Sequence, residues 1–288
     1  MKPSHSGIPI ILAILVVFTS GCGLVNRIRA KNELNEAARA YRESHFEEAE
    51  QRSRRALELD PENKTAPLFI ARTIHAQYKP GVSNPQNIQK ANEAIEAYKQ
   101  ILEKNPRNEE AYKAIAFLYE KLKAEDQLRQ WIVGRAVNEQ IEAEKRAEAY
   151  VVLASKDWNC SFQITDLPTN KITTVTTSGD GAKATVTYRK PKEQKDFDSA
   201  QMCVKRGLEE IENAIRLDPN SEAAWSYKTN LLLEASKLAE MDGKNDQKAQ
   251  YEKEREIAQK RTETLSQENK RKKAEEEAAK KQVSPPAG

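Results

Sequence analysis

Histidine is the commonest supplier of a general base or a metal ligand near neutral pH, and this chain has three, His5, His45 and His75. The two that lie past the leading apolar run, His45 and His75, are far apart and lack metal-ligand spacing. Carboxylates abound, but pairs such as Glu47-Glu48 and Glu109-Glu110 sit among Lys and Arg at helical spacing, where solvation is their ordinary role. No GxSxG, HExxH or phosphate-cradling glycine-rich loop occurs. Cysteine is the remaining reactive type. Cys22 closes the sequence Thr19-Ser20-Gly21-Cys22, while Cys160 and Cys203 belong to no CxxC, CxxCH or zinc spacing. Those two are either inert buried thiols or disulfide partners, in which case closing about 44 residues stabilises the fold by ~4 kcal/mol before strain. The chain is expected to be non-catalytic, with no cofactor and no metal site.

The elements that could carry some other function follow from composition. Of 288 residues only 10 are Gly, and 32% are charged against 6% aromatic, which excludes collagen-like, porin-like and disulfide-dense small-domain classes. The 47 basic and 44 acidic side chains leave a formal charge of +3, so bulk charge does not mark a polyanion binder. A chain dominated by Ala, Glu, Lys, Leu, Gln and Arg is expected to form long helices with wet outer faces.

Address is written at the start. Met1-Lys2, an apolar run from Ile8 to Phe18 and the small residues before Cys22 have the three-part form of an export signal. A membrane-spanning anchor is the alternative, but the run contains Pro9 and is shorter than the roughly 20 residues a helix needs to cross a bilayer. Ser20-Gly21-Cys22 resembles the lipobox of bacterial lipoproteins, with Thr19 where that motif usually has Leu. The resemblance implies a signal peptide over residues 1–21, palmitate-type acylation of Cys22 and a lipidated linker over 22–29. Acyl chains contribute about 0.8 kcal/mol per buried methylene, enough in pairs or triplets to hold a folded chain on a membrane. Gly23, in place of the Asp that resembles an inner-membrane retention signal, favours the outer membrane with the chain facing the periplasm. Such a compartment oxidises thiols, which favours pairing of Cys160 with Cys203.

Internal repetition decides the architecture. Ala56-Leu57-Glu58-Leu59-Asp60-Pro61-Glu62-Asn63, Ile101-Leu102-Glu103-Lys104-Asn105-Pro106-Arg107-Asn108 and Ala214-Ile215-Arg216-Leu217-Asp218-Pro219-Asn220 are variants of one phrase. Each follows a helical apolar pattern and precedes a new helix, a place where proline fits because one helix has ended and the next has not begun. The phrase resembles the end of a tetratricopeptide repeat, a 34-residue helix-turn-helix unit. Residues 30–63 fit one copy through Ala37, Ala40, Phe46, Ala49, Ala56 and Pro61. A second begins near Lys64 with Pro67, Ile70, Ala71 and Ile74, carries an insertion around Lys79–Pro85, and resumes with Ala94, Tyr98, Ile101 and Pro106. A third, from Glu109 to about Gln140, has Tyr112, Ile115, Ala116, Tyr119, Leu128 and Ile132 but no closing proline. The fourth starts near Ala147 and is interrupted before resuming at Ser199, and a fifth follows Trp225. The resemblance implies an all-α, TPR-like α-solenoid over 30–243.

Two features depart from the repeat. Between residues 160 and 196, the β-branched Ile172–Thr177, the turn Ser178-Gly179-Asp180-Gly181 and Ala182–Tyr188 predict a β-hairpin, with Phe162 and Ile164 as a third short strand. A bridge between Cys160 and Cys203 would pin the root of that excursion to the following helix. Beyond Gly243, Tyr251, Ala258 and Leu265 recur at intervals of seven, predicting a charged helix over 244–281 that caps the last repeat and then runs into solvent. If helical from Lys244 to Lys281, the segment would reach roughly 57 Å at 1.5 Å per residue and serve as a spacer, ending in a tail over 282–288. A single apolar column argues against a coiled coil. Lys270–Lys273 is a basic run, but Glu275–Glu277 neutralises it and no aromatic platform accompanies it, so no nucleic-acid partner is expected.

In tetratricopeptide proteins the first helices of successive repeats build a concave wall that holds a peptide or a partner's helix. Carried onto this chain, the ligand-facing positions are Leu34, Tyr41 and Arg42; Leu68, Arg72 and His75; Lys113, Phe117, Glu120 and Lys121; Val151 and Trp158; and Ser226, Asn230 and Leu233. Each could equally be packing or plain surface. Aromatic rings beside Arg and Lys suit a peptide with an acidic or apolar stretch. Lys113 and Lys121 lack the Asn partners of the family's two-carboxylate clamp, so that specificity is not expected. The function implied is a membrane-anchored adaptor or scaffold in the bacterial cell envelope. The alternative is a biogenesis or chaperone-like factor for outer-membrane or pilus subunits.

Overall fold

Short polar phrases fix where each helix stops and the next starts. In the repeated phrase, the residue two places after the proline caps the helix that follows. Asn63 accepts from the amides of Thr65 and Ala66, Asn108 from Ala111 at 2.9 Å, and Ser221 from Ala224 at 3.3 Å. The residue before the proline closes the turn from the other side: Asn105 accepts from the Arg107 amide and Asp218 from the Asn220 amide. One four-residue phrase thus holds the turn after one helix and supplies an acceptor to the first amides of the next.

The computed structural model describes the backbone of residues 8–178 and 181–283, and the side chains of residues 23–175 and 184–279. Cys22, the Gly179-Asp180 turn and the 284–288 end of the tail fall outside the described side chains. The elements are α1 (Ile8–Arg42), α2 (Phe46–Leu59), α3 (Ala66–Gln77), α4 (Pro85–Lys104), α5 (Glu109–Lys121), α6 (Glu125–Val137), α7 (Ala143–Thr165), β1 (Lys171–Ser178), β2 (Gly181–Tyr188), α8 (Gln194–Leu217), α9 (Glu222–Met241) and α10 (Asn245–Val283). The fold is an all-α, TPR-like chain of helix-turn-helix pairs of the solenoid class, interrupted by one hairpin. It forms two compact units, the first ending at Leu128 and the second beginning at Arg129. Among the described residues no helix is long and apolar enough to cross a membrane.

In the first unit α1 packs on α2, α2 on α3, α3 on α4 and α4 on α5. Alanine makes this possible: Ala37, Ala49, Ala56, Ala66, Ala71, Ala91, Ala94 and Ala111 are all fully buried, and their small volume lets neighbouring backbones close while Ile70, Ile74, Tyr98 and Ile115 fill the space between pairs. Ion pairs stitch the outer edges. Glu50 accepts from Gln77 and faces Arg54 and Lys90; burial opposes its charge most, but these partners together hold its carboxyl below the usual range. The expected insertion is a loop held by one residue, since Asn87 accepts from the Lys79 amide and donates to the carbonyls of Lys79 and Val82.

The second unit has two apolar clusters, one of Ala147, Val151, Ala154, Ile211, Ala214, Ala224 and Leu231 and one of Phe197, Ala200, Val204, Ala235, Leu238 and Met241, with Leu208 packed against both. Cys160 of α7 and Cys203 of α8 are joined as a disulfide. At Gly207 α8 comes close to its neighbours; an added Cβ would meet Leu231 Cδ2 at 2.6 Å. The strands β1 and β2 pair antiparallel from Lys171↔Tyr188 to Ser178↔Gly181. Their root is tied to α9, where the Tyr188 amide donates to Glu240 and Lys190 pairs with Asp242. Phe162 and Ile164, expected on a third strand, instead continue α7. Two residues apart, they face opposite sides of the helix: Phe162 stacks on Trp158 one turn back and Ile164 packs on the Phe197 cluster.

The long α10 follows α9 back along its length. Ala258 and Leu265 are 1% and 2% exposed and Tyr251 packs against the Leu238 cluster, while Lys248 pairs with Glu240 near one end and Asn269 donates to Glu222 near the other. The spacer expectation is therefore corrected. Most of α10 is laid on the second unit, and only from Lys270 to Ala279 are its described side chains uniformly exposed.

Candidate functional site

In the first unit, α1, α3 and α5 are the leading helices of consecutive pairs, and side chains of the expected ligand-facing set link them. Tyr41 of α1 lies 5.7 Å, centroid to centroid, from Phe69 of α3 and 5.3 Å from Phe46. Arg72 of α3 makes a two-pronged ion pair with Glu110 of α5. His75 of α3 lies 5.6 Å from Phe117 of α5, with Tyr98 edge-on at 5.9 Å. Lys121 sits 5.1 Å over the Phe117 ring. The result is a broken ridge of two aromatic groups over three helices, Tyr41–Phe69 between α1 and α3 and His75–Phe117 between α3 and α5, with Phe117 41% exposed at its end.

Electrostatics sharpen the ridge. The Arg72 guanidinium, through its hydrogen bonds, holds the Glu110 carboxyl below the ordinary carboxylate range, and Glu110 in turn raises Arg72. Arg72 is thus paired with Glu110 in the fold, with both side chains still partly exposed. Exposed positive charge comes also from Arg42 and Lys113, and from Lys121, which pairs with Glu120 at 3.4 Å. Burial lowers the pKa of His75, so this ring is neutral at pH 7 and acts as an aromatic surface. Ligand-facing Leu68 lines something else: a cavity of about 860 Å³ between α2, α3 and α4, with Leu57, Ile74, Ala97 and Ile101.

The expected residues of the second unit are a separate group. Trp158 stacks on Phe162 at 5.1 Å and meets Tyr227 at 6.1 Å, while Lys228 lies over Trp225. Trp158 and Asn230 are half-buried. Val151 is 8% exposed and belongs to the core, so it is withdrawn from the binding surface.

Two buried charged clusters were not anticipated. Asp157, 2% exposed, accepts from Arg129 at 3.2 Å and Arg206 at 2.6 Å, and Arg129 also pairs with Glu210. Burial first, then the neighbouring Asp157 carboxylate, push Glu210 up to about 7 against the opposing pull of Arg129 and Arg206. Glu234, fully buried, accepts from Ser161 and Thr165 and pairs with Lys237, whose ammonium lies over the rings of Phe162 and Tyr188. Each charged group there faces an opposite charge, as buried charge requires, while Arg206 Nε and Glu210 Oε2 are buried without a hydrogen bond. Both clusters join helices inside the second unit and present no reacting group to a substrate. Among the described residues no group of three or more His, Cys, Asp or Glu is placed to hold a metal ion.

No protein-family model matches the sequence, and no curated protein does. Among solved structures the chain is similar to MamA from residue 41 onward, from Desulfovibrio magneticus RS-1, at 12% identity over 78% of this chain and 94% of that one, with a TM-score of 0.35. It is also similar to Pseudomonas aeruginosa PilF, at 14% identity, 78% and 90% coverage and a TM-score of 0.33. A third is YrrB, described as a TPR protein with an unusual peptide-binding site, at 12% identity, 77% and 90% coverage and a TM-score of 0.33. Likenesses of this size carry no functional argument. The TPR-like reading rests on the chain's own repeated phrase and paired helices.

Proposed function

We propose that the chain is a non-catalytic interaction module of a bacterial cell envelope, held to a membrane by acyl chains on Cys22, which takes an acidic or apolar peptide, or a partner's helix, along the ridge of α1, α3 and α5. The observation that carries this reading is the ridge itself. Tyr41, Phe69, His75 and Phe117 place aromatic surface over three successive leading helices, with exposed Arg42, Lys113 and Lys121 beside it. Aromatic rings flanked by cations are the groups that dominate recognition surfaces. The sequence around Cys22 supports the anchor and the envelope address, with the outer membrane favoured by Gly23.

The test compares wild type with Lys113→Ala/Phe117→Ala/Lys121→Ala, three exposed positions on α5. Both are captured from detergent-solubilised envelopes after chemical cross-linking. The module reading expects proteins enriched with wild type to be lost from the variant while both melt at the same temperature. Identical recovery from both overturns it. Intact mass of the purified protein checks the anchor independently: cleavage before Cys22 with added acyl mass is expected, and an unmodified thiol there overturns the anchor.

A further inference from the structure

The first described turns of α1 carry an apolar surface that the fold does not use. Leu24, Val25 and Ile28 are 63%, 47% and 55% exposed. On a helix of 3.6 residues per turn they occupy an arc of about 100°. Ala30 and Ala37, both 0% exposed, mark the buried side of α1, and they lie about 180° round the helix from the centre of that arc. The arc therefore points away from the face that packs on α2.

Charge identifies what fits it. Arg27 and Lys31 border the arc on one side and Arg29 on the other, all exposed, and no acidic residue precedes Glu33 in the sequence. Aliphatic side chains bordered by cations with long methylene stems match an interface where the stems lie along hydrocarbon and the charged heads reach phosphate. Further along α1 the same arc carries Asn32, Asn35 and Arg39, so the apolar surface ends after two turns.

We propose that residues 23–31 are a docking surface for an anionic lipid leaflet, with Leu24, Val25 and Ile28 in the acyl boundary and Arg27, Arg29 and Lys31 on headgroup phosphates. The nearness of a bilayer rests on the Cys22 anchor proposed above; the affinity of the patch for anionic lipid does not. The acyl chains would fix the protein to a membrane, and this surface would fix how α1 leaves it. Each cation near an anionic surface is worth about fivefold in a binding equilibrium, so the three together contribute roughly 100-fold, an effect weakened by salt.

The test uses the full-length gene product as cells process it, reconstituted in phosphatidylcholine vesicles with or without phosphatidylglycerol. An environment-sensitive fluorescent amino acid replaces Ile28, or Gln100 on α4 as an exposed control, and aqueous iodide reports exposure. Position 28 should be shielded and blue-shifted in the anionic vesicles, position 100 should not, and R27Q/R29Q/K31Q should lower the docked-to-undocked ratio about 100-fold. Equal quenching at the two positions in anionic vesicles overturns the proposal, as does equal shielding of position 28 in phosphatidylcholine alone. Shielding that needs other envelope proteins also overturns it, in favour of a protein partner. The intact mass of the same sample judges the anchor separately: an unacylated Cys22 ends that reading while the vesicle result still decides this one.

Discussion

Removing the bridge between α7 and α8 gives a prediction with a magnitude. Cys160 and Cys203 are 43 residues apart in sequence, and a cross-link over about 44 residues takes roughly 13 cal/mol/K of loop-closure entropy from the unfolded chain, or ~4 kcal/mol at 25 °C. Compact residual structure in the unfolded state reduces that figure, so ~2–4 kcal/mol is the working range. For a folding unit of about 150 residues, 1 kcal/mol moves Tm by ~2–4 °C. The variant Cys160→Ala/Cys203→Ala should thus melt at least about 4 °C, and up to ~16 °C, below the oxidised wild type. Alanine is the suitable replacement because Cys203 is 4% exposed on α8, where a small apolar side chain that favours helix adds no polar group to be satisfied. The assay is thermal unfolding by circular dichroism with and without a phosphine reductant, which should lower wild type toward the variant and leave the variant unchanged. Oxidised wild type and variant melting at the same temperature would refute the reasoning. So would two free thiols per chain, titrated in denaturant without reductant.

Further tests address the interior and one loop. Because Glu210 is raised to about 7 from 4.5, the folded second unit keeps a proton that the unfolded chain releases, so this group's contribution is full below pH 4.5 and is lost as pH rises to about 7. Urea midpoints of Glu210→Gln should lack that decline, and parallel wild-type and variant pH curves would contradict the assignment. Gly207→Ala puts a methyl 2.6 Å from Leu231 and 3.3 Å from Asp157 Cβ; overpacking of ~1–3 kcal/mol outweighs a helix-propensity gain of up to ~1 kcal/mol. Its denaturant midpoint should fall, and an unchanged or higher midpoint would show that Leu231 yields freely. Asn87→Ala removes three hydrogen bonds that hold the loop between α3 and α4, at a cost of ~1–3 kcal/mol. Amide exchange at Lys79 should accelerate, and unaltered protection would mean that the loop is held otherwise.

What the sequence made legible was local. The Asp/Asn-Pro phrase announces helix ends because its capping atoms act within three residues, as Asn63, Asn108 and Ser221 do. The seven-residue spacing of Tyr251, Ala258 and Leu265 marked the packed stripe of α10 for the same reason. It said less about how far α10 stays attached, since that depends on polar ties such as Asn269 to Glu222 across 47 positions. Arg72 shows the same limit at the candidate site: its place in the repeat nominates it for binding, but says nothing of its pairing with Glu110, 38 residues on. Asp157 and Glu210 look like wet-face residues in a chain that is one-third charged, and only tertiary pairing with Arg129 and Arg206 takes them inside. A usable signal did exist for the other cluster. Glu234 and Lys237 stand three apart between Leu231-Leu232 and Leu238, the spacing of an ion pair drawn into an apolar helix face.

Site-specific photo-cross-linking in living cells probes the binding ridge most directly. With a photoreactive amino acid at position 117 on α5 or at position 100 on α4, both exposed, irradiation should yield discrete adducts to partner protein from position 117 and none from position 100. Adducts from position 100 alone, or from neither position in cells that contain the acylated protein, would contradict the ridge as the surface through which this chain works.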